Sequence, residues 1–595
     1  MTQSALTAAA VAYVSSLTPK QVNDALTDED ITTVAPVQFR PRMSRAGEDT
    51  SSVGPTVQMR AIYTSQWFWE IAAECPNNRI WWGGKETDLD KRREGAPLHF
   101  PDYLMLFLVC LAGVKGVGTI NAAATLLRDE KVWRDLVEHM DTYVPEEWTK
   151  LGDLPQRNPK RTPKHATLAT PGTEPTDRTR PLQPTKKKAK RKRKGNVTQL
   201  RPRNERPLTA PPSPNTLDYW VLKWRGYRRS SAGRVRLEPG HEYYGLQARV
   251  MAKFRETALA QAQAMGVLDS TANFVYNQPD RNQYVGFDGV VFKAPRKGRL
   301  STVGTYMTGT GEAARGTKYG ITSTRVNGQR HSRVILDFAH IHKSLDGSYR
   351  GESPMVEATL PGMREATNGG IKGLLVDSVI RGRAVEHLQR HGVTVINYPH
   401  AKTNPKGGAG RRLAEGRVEK THLRHAVSHL NDFHINCEHH VFAVGGELME
   451  AVFTGEGTYA LTPLPVVKYE QRGKATNGTR REYLTVKITC PHTRNDLTER
   501  IALFHTPATS NDPNYIWGEV CRVYPPGSWQ AKYLYGARND TEARHADLKA
   551  RVQHLPGDRD GQMLRLLGAS IANNAFSWQV HLQAHGLDNV VDDTA

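Results

Sequence analysis

A chain of 595 residues with 38% hydrophobic and 24% charged residues has an ordinary globular composition, long enough to bury a sizeable core in more than one domain. Its 81 Lys and Arg against 60 Asp and Glu leave +21 at pH 7, which points to a polyanionic partner, nucleic acid first. Five cysteines (Cys75, Cys110, Cys437, Cys490, Cys521) argue against a disulfide framework, and no run of about 20 apolar residues offers a membrane span.

The N-terminus "MTQSALTAAAVAYVSSLTPK" lacks the basic start of a secretory signal, so a cytoplasmic, nucleoid-associated protein is expected. Residues 1–150 are expected to form a helical domain. They include "SQWFWEIAAE", "FPDYLMLFLVCLAGV" and "INAAATLLRDEKVWRDLVEHM", with apolar residues at helical spacing. From 151 to 215 the pattern stops. Between 151 and 206, 17 Lys and Arg face four acids, a net +13, which marks a basic disordered linker. Its "KKKAKRKRKG" run (Lys186, Lys187, Lys188, Lys190, Arg191, Lys192, Arg193, Lys194) can hold phosphates without reading sequence.

After the linker, "YYGLQARVMAKFRETALAQAQAMGVL" (243–268) predicts a long helix. Short strands follow. "QYVGFDGVVFK" (283–293) carries Asp288, while "KYGITSTRV" and "HSRVILDFAHIH" flank the turn "NGQR" as a hairpin. The helix "SPMVEATLPGMREAT", the strand "IKGLLVD" ending at Asp377, the helix "RAVEHLQRHG" and the strand "VTVINYP" complete an α/β pattern. A mixed sheet covered by helices is the expected fold over 216–400.

An ionised Asp in an apolar strand is costly unless paired, hydrogen-bonded or bound to metal. Asp288 and Asp377 both stand in that position, and adjacent places in one sheet would bring them together. Carboxylates so placed suit Mg²⁺ or Mn²⁺. A third acid comes from "YGARNDTEARHADLK". At about 100° per residue, Tyr535 at 0° puts Arg538 near −60°, Glu542 near −20° and Lys549 near −40° on one helix. So polar a stripe faces a solvent-filled cleft or a charged ligand rather than a core. Three carboxylates holding two divalent ions are a general device for in-line attack on phosphodiesters.

The spacing Tyr535, Arg538, Glu542, Lys549 is Y-x2-R-x3-E-x6-K, which resembles the signature around the third acid of DDE transposases of the "IS four" group of bacterial insertion sequences. The strand order from 283 to 399 is similar to their RNase H-like core, and the resemblance covers roughly residues 216–595. It implies that Asp288, Asp377 and Glu542 bind two Mg²⁺ or Mn²⁺ ions. Arg538 and Lys549 would hold phosphates, and Tyr535 would position one through its hydroxyl. It also implies cut-and-paste transposition of double-stranded DNA, a homodimer on paired ends, and a β-rich insertion between the second and third acids. Residues 401–529, with strand-like "HHVFAVGG" and "EYLTVKITC", fit that insertion, leaving 530–595 as the second part of the core. Trp517 or Trp529 would catch a flipped base. A nuclease that only cuts and a domesticated DNA-binding protein remain the alternative classes.

Asp337 in "RVILDFAHIHK" competes with Asp288 as first acid but falls on the return strand of the hairpin. "NCEHH" and "TCPHT" supply Cys437, His439, Cys490 and His492 as a tetrahedral zinc set, but their Cys-x-His spacing is not that of a zinc knuckle. Buried cysteines and surface histidines are the expectation there.

Overall fold

Tyr284–Lys293 has apolar side chains on both sides of Asp288, as a strand buried on both faces requires. In the computed structural model, which describes residues 54–79, 100–154, 211–397, 420–504 and 521–587 with short breaks inside the last three stretches, this segment is the centre of a mixed sheet. The strands are β1 (Tyr284–Lys293), β2 (Gly304–Met307), β3 (Ala313–Arg325), β4 (Arg333–Ile341), β5 (Gly373–Leu375) and β6 (Thr394–Ile396). On one side β1 pairs antiparallel with β3, whose far edge pairs with β4 and β2. On the other side β1 pairs parallel with β5, and β5 parallel with β6. The spatial order is therefore β4-β3-β1-β5-β6. The hairpin between β3 and β4 turns at Asn327-Gly328, where Gly328 takes φ +80°.

The helices are α1 (Pro55–Thr64), α2 (Gln66–Ala72), α3 (Asp102–Ala112), α4 (Ile120–Leu126), α5 (Glu130–Met140), α6 (Pro214–Trp224), α7 (Leu246–Ala264), α8 (Glu352–Ala366), α9 (Gly382–Arg390), α10 (Trp529–Tyr535), α11 (Asn539–Arg551) and α12 (Arg559–Ala584). Parallel strands need a crossover between them, and α9 supplies it from β5 to β6. It buries Ala384, Val385 and Leu388 on one stripe, and the chain turns after it at Gly392 with φ +77°. Val285 and Phe287 of β1 pack with α8 and α9. Val290 and Phe292, two and four residues past Asp288 and so on its face, join a core that also contains α1–α3, α5, α7 and α12. The N-terminal helices thus share a core with the sheet and the C-terminal helix.

Asp102, buried at the start of α3, ties these parts together. Its carboxylate accepts from the Trp220 indole at 2.8 Å, the Tyr243 hydroxyl at 2.8 Å and the Asn77 N–H at 3.1 Å. Burial pushes its carboxyl up to about 6, against the pull of these donors.

Two glycines let α3 and α12 touch backbone to backbone. A Cβ on Gly113 would lie 2.4 Å from Ala569 Cα, and one on Gly568 would lie 2.3 Å from the Val109 carbonyl oxygen. Helix propensity alone favours Ala over Gly by about 1 kcal/mol. Packing opposes it, because neither neighbour is a flexible side-chain end. Gly568→Ala is therefore expected to lower the Tm, with a net loss of about 1–3 kcal/mol; a raised Tm would show that the two helices do not meet there.

The described residues between 420 and 502 form three further antiparallel sheets, one of them a two-stranded ladder of His429–Leu430 with Asn436–Cys437. The four-stranded one has the order 458–463, 447–455, 441–444, 420–424; the three-stranded one is built from Val466–Arg472, Arg481–Thr489 and Asp496–Ala502. Their core includes Val441, Leu484 and Ile488 and is continuous with Tyr284, Leu375 and Ile396 of the central sheet and Leu534 of α10. Among the described residues, no helix is long and apolar enough to cross a membrane. The basic run from Lys186 to Lys194 and Trp517 lie outside the described residues.

Candidate active site

The parallel register that pairs Gly286 with Leu375 explains why two distant acids meet. Asp288 lies two residues beyond Gly286 and Asp377 two residues beyond Leu375. Asp288, in the middle of β1, and Asp377, just past the carboxyl end of the shorter β5, are therefore brought side by side on neighbouring strands. Glu542, in the first turn of α11, comes to the same place. All three acids face the guanidinium of Arg538. Its Nη2 lies 3.5 Å from Asp377 Oδ2 and 4.0 Å from Asp288 Oδ2, and its Nη1 donates to Glu542 Oε1 at 3.1 Å. The cluster opens outward: the side chains of Arg538 and Asp288 are 11% and 21% exposed, those of Asp377 and Glu542 54% and 59%.

Glycines on either side of Asp288 make room for what surrounds it. A Cβ on Gly286 would lie 2.7 Å from Thr541 Cγ2, so this glycine lets α11 lie against β1. A Cβ on Gly289 would lie 1.9 Å from Glu352 Oε1, so this one admits a fourth carboxylate, which Lys318 Nζ holds at 2.7 Å. Burial pushes the Asp288 carboxyl up to about 6; Arg538 pulls it down, while Glu352 and Asp377 push it further up. His545, one turn beyond Glu542, sets Nδ1 3.6 Å from Asp288 Oδ2. Burial, then Arg544, Lys549 and Arg538, hold its imidazole well below the ordinary range, so it stands neutral beside the acid. Sequence reasoning missed Glu352, Lys318 and His545. Only His545 carried a signal, its place on the Glu542 face of the helix.

The expected single stripe is corrected by the structure. Tyr535 ends α10, Gly536–Arg538 forms a 3₁₀ turn, and α11 begins at Asn539. Glycine is a poor helix residue, and the tighter turn breaks the uniform 100° step that the stripe assumed. Glu542 and Lys549 share α11, and the Arg538–Glu542 pair survives as a local i,i+4 contact. Tyr535 is buried, with its ring 5.8 Å from the Arg538 guanidinium carbon, and Lys549 is exposed. Trp529 begins α10 with 53% of its surface exposed. Asp337, the competitor for first acid, is fully buried and paired to Arg255 at 2.5 Å. Its register partner is Thr322 and that of Asp288 is Ile321, so the two acids point to opposite faces.

Beside the cluster, across Thr541, lies a cleft of about 350 Å³ lined by Arg281, Arg325, Arg333, Asn327 and Asp540 among others. Arg325 and Arg333 both bond Asp540, at 2.5 and 3.1 Å. Three guanidiniums against one carboxylate give this cleft a positive lining beside an acidic centre. The donors of that centre are hard oxygens, two of them half exposed, which is the set that Mg²⁺ or Mn²⁺ prefers. Arg538 carries the positive charge there, so a divalent ion would compete with it for the same oxygens. No protein-family model matches the chain, and no curated protein is significantly similar to it.

Proposed function

We propose that the chain is a DDE-type DNA transposase that cuts transposon ends and joins them to target DNA. The observation that carries this reading is the meeting of Asp288, Asp377 and Glu542 around one guanidinium, although the last two are 165 positions apart. Two features support it: the order β4-β3-β1-β5-β6, antiparallel then parallel, as in an RNase H-like core, and the β-rich segment before the third acid. Asp288, Asp377 and Glu542 would hold two Mg²⁺ or Mn²⁺ ions. When bound, such ions activate a water or 3′-hydroxyl and stabilise the leaving oxygen.

The remaining roles fall to this chain's own groups. Arg538 and Lys549 neutralise phosphates at the cut, and the arginine-lined cleft holds flanking backbone. Neutral His545 stands beside Asp288, and Lys318 balances the nearby Glu352 carboxylate. The linker and the net +21 draw in double-stranded DNA, and a homodimer would bring two ends together. The test is cleavage of supercoiled plasmid, or of DNA carrying the element's own ends, with Mg²⁺ or Mn²⁺ and with EDTA. Cutting in metal that EDTA abolishes is expected. Tight binding without cutting would support a DNA-binding protein instead, and cutting without strand joining on end DNA would support a nuclease.

A further inference from the structure

Cys437 ends a short two-stranded ladder (429–430 with 436–437) with His439 just beyond it, and Cys490 and His492 stand on the hairpin turn of the three-stranded sheet, yet the side chains of Cys437, Cys490 and His492 meet. Cys437 Sγ and Cys490 Sγ each lie 3.9 Å from His492 Nδ1, and the three ligand atoms fall within 4.8 Å of one another. Tetrahedral zinc, with Zn–S near 2.3 Å and Zn–N near 2.0–2.1 Å, sets sulfur and nitrogen about 3.6 Å apart, so a few tenths of an ångström of closure would suffice. The fourth candidate ligand is His439, buried two residues beyond Cys437, with Cys490 near enough to act on its imidazole. Its Nδ1 lies 2.6 Å from Glu450 Oε1, which leaves Nε2 as its ligand atom and supplies the carboxylate partner that metal-bound imidazoles usually have.

The spacing has a local reason. At the end of a strand, residues two apart point the same way, which suits Cys437 and His439; for Cys490 and His492 a turn does this instead. The Cys490 loop is closed by its N–H donating to Asn495 O at 3.0 Å and by the Arg494 N–H donating to Cys490 O at 2.8 Å, with Arg494 at φ +54°. The expectation of buried cysteines and surface histidines holds for the cysteines alone: His439 is 4% exposed and His492 half-buried. Sequence spacing could not reveal the pairing of two Cys-x-His units 53 residues apart.

We propose that Cys437, His439, Cys490 and His492 form a structural Zn²⁺ site that clamps the two-stranded ladder ending at Cys437 to the hairpin turn of the three-stranded sheet. Two thiolates and two imidazoles in a tetrahedral set select zinc over the hard ions suited to the carboxylate centre. The site is independent of the transposase reading, and its ion is distinct from the ions that cutting would need.

The test is the zinc content of the full-length protein, purified without added metal, by plasma mass spectrometry, with cobalt replacement as the second reading. About one zinc per chain is expected. Co²⁺ should give tetrahedral d–d absorption with a thiolate charge-transfer band. Cys437→Ser and Cys490→Ser should lose both signals, and His492→Ala should weaken metal retention against a chelator, while Cys75→Ala keeps all of them. Folded wild type without stoichiometric zinc, cobalt bands that lack thiolate character, or a Cys437–Cys490 disulfide in alkylated peptides would each overturn the proposal. If a cysteine variant fails to fold, the wild-type cobalt spectrum and the His492→Ala chelator competition still decide it.

Discussion

Glu542→Gln is expected to reduce metal-dependent DNA cutting by more than about a hundredfold, since loss of even an outer partner of a metal ligand costs 10–100-fold. That is about 3 kcal/mol of barrier. The substitution keeps the shape and removes the charge. Glu542 is more than half exposed and bonds only Arg538 among the described contacts, so folding and DNA binding should change little. Divalent ions should stabilise the variant less than wild type, because one of three carboxylates has gone. The readout is plasmid cleavage alongside filter binding and the Tm with and without Mn²⁺. Cutting as fast as wild type would make the Arg538–Glu542 contact an ordinary helix pair worth a few tenths of a kcal/mol, and the site assignment would fail.

Arg538→Ala is expected to move two of these readings in opposite directions. Its guanidinium lies within 4.0 Å of all three acids, so it is the cation that lets them sit together. Without it, the partly buried Asp288 loses its main stabilising charge while Asp377 and Glu352 still repel it. In EDTA the variant should be less stable by about 1–3 kcal/mol, the cost of leaving a buried acceptor unpaired. A divalent ion would then enter without displacing a guanidinium. Stabilisation by Mn²⁺ should therefore grow, with an apparent affinity about tenfold tighter, ~1.4 kcal/mol. Cutting should nonetheless fall, since no cation remains there to meet the phosphate. A variant that loses stability and gains nothing from Mn²⁺ would mean that Arg538 is a structural counter-ion and that the acids do not take metal.

These two substitutions also separate local from long-range information. The Arg538–Glu542 contact is set by i,i+4 spacing and could be read from fifteen residues. That Asp288 needs a partner could be read too, because an acid among Val, Phe and Gly in a strand has few ways to remain. Glu352 could not be read. It lies near enough to repel Asp288 only because Gly289 has no side chain and Lys318 holds the carboxylate there, and neither fact is visible in the residues around Glu352. Regular periodicity across "YGARNDTEARHADLK" concealed the helix break, since a 3₁₀ turn changes the step of the chain without changing its composition.

What the sequence by itself determined is what short-range physics governs. Alternating and helical periodicity set the strands, the Asn-Gly hairpin and the helices, and the apolar surroundings of Asp288 and Asp377 marked them as acids in need of a cation. Only the tertiary structure decided which residues share a place. It merged the N-terminal helices into one core with α12 through the Gly113 and Gly568 contact, and it turned Asp337 away from Asp288. It also gathered two Cys-x-His units from separate sheets. Such meetings depend on register and close packing between residues tens to hundreds of positions apart, and no local pattern of spacing or charge encodes them.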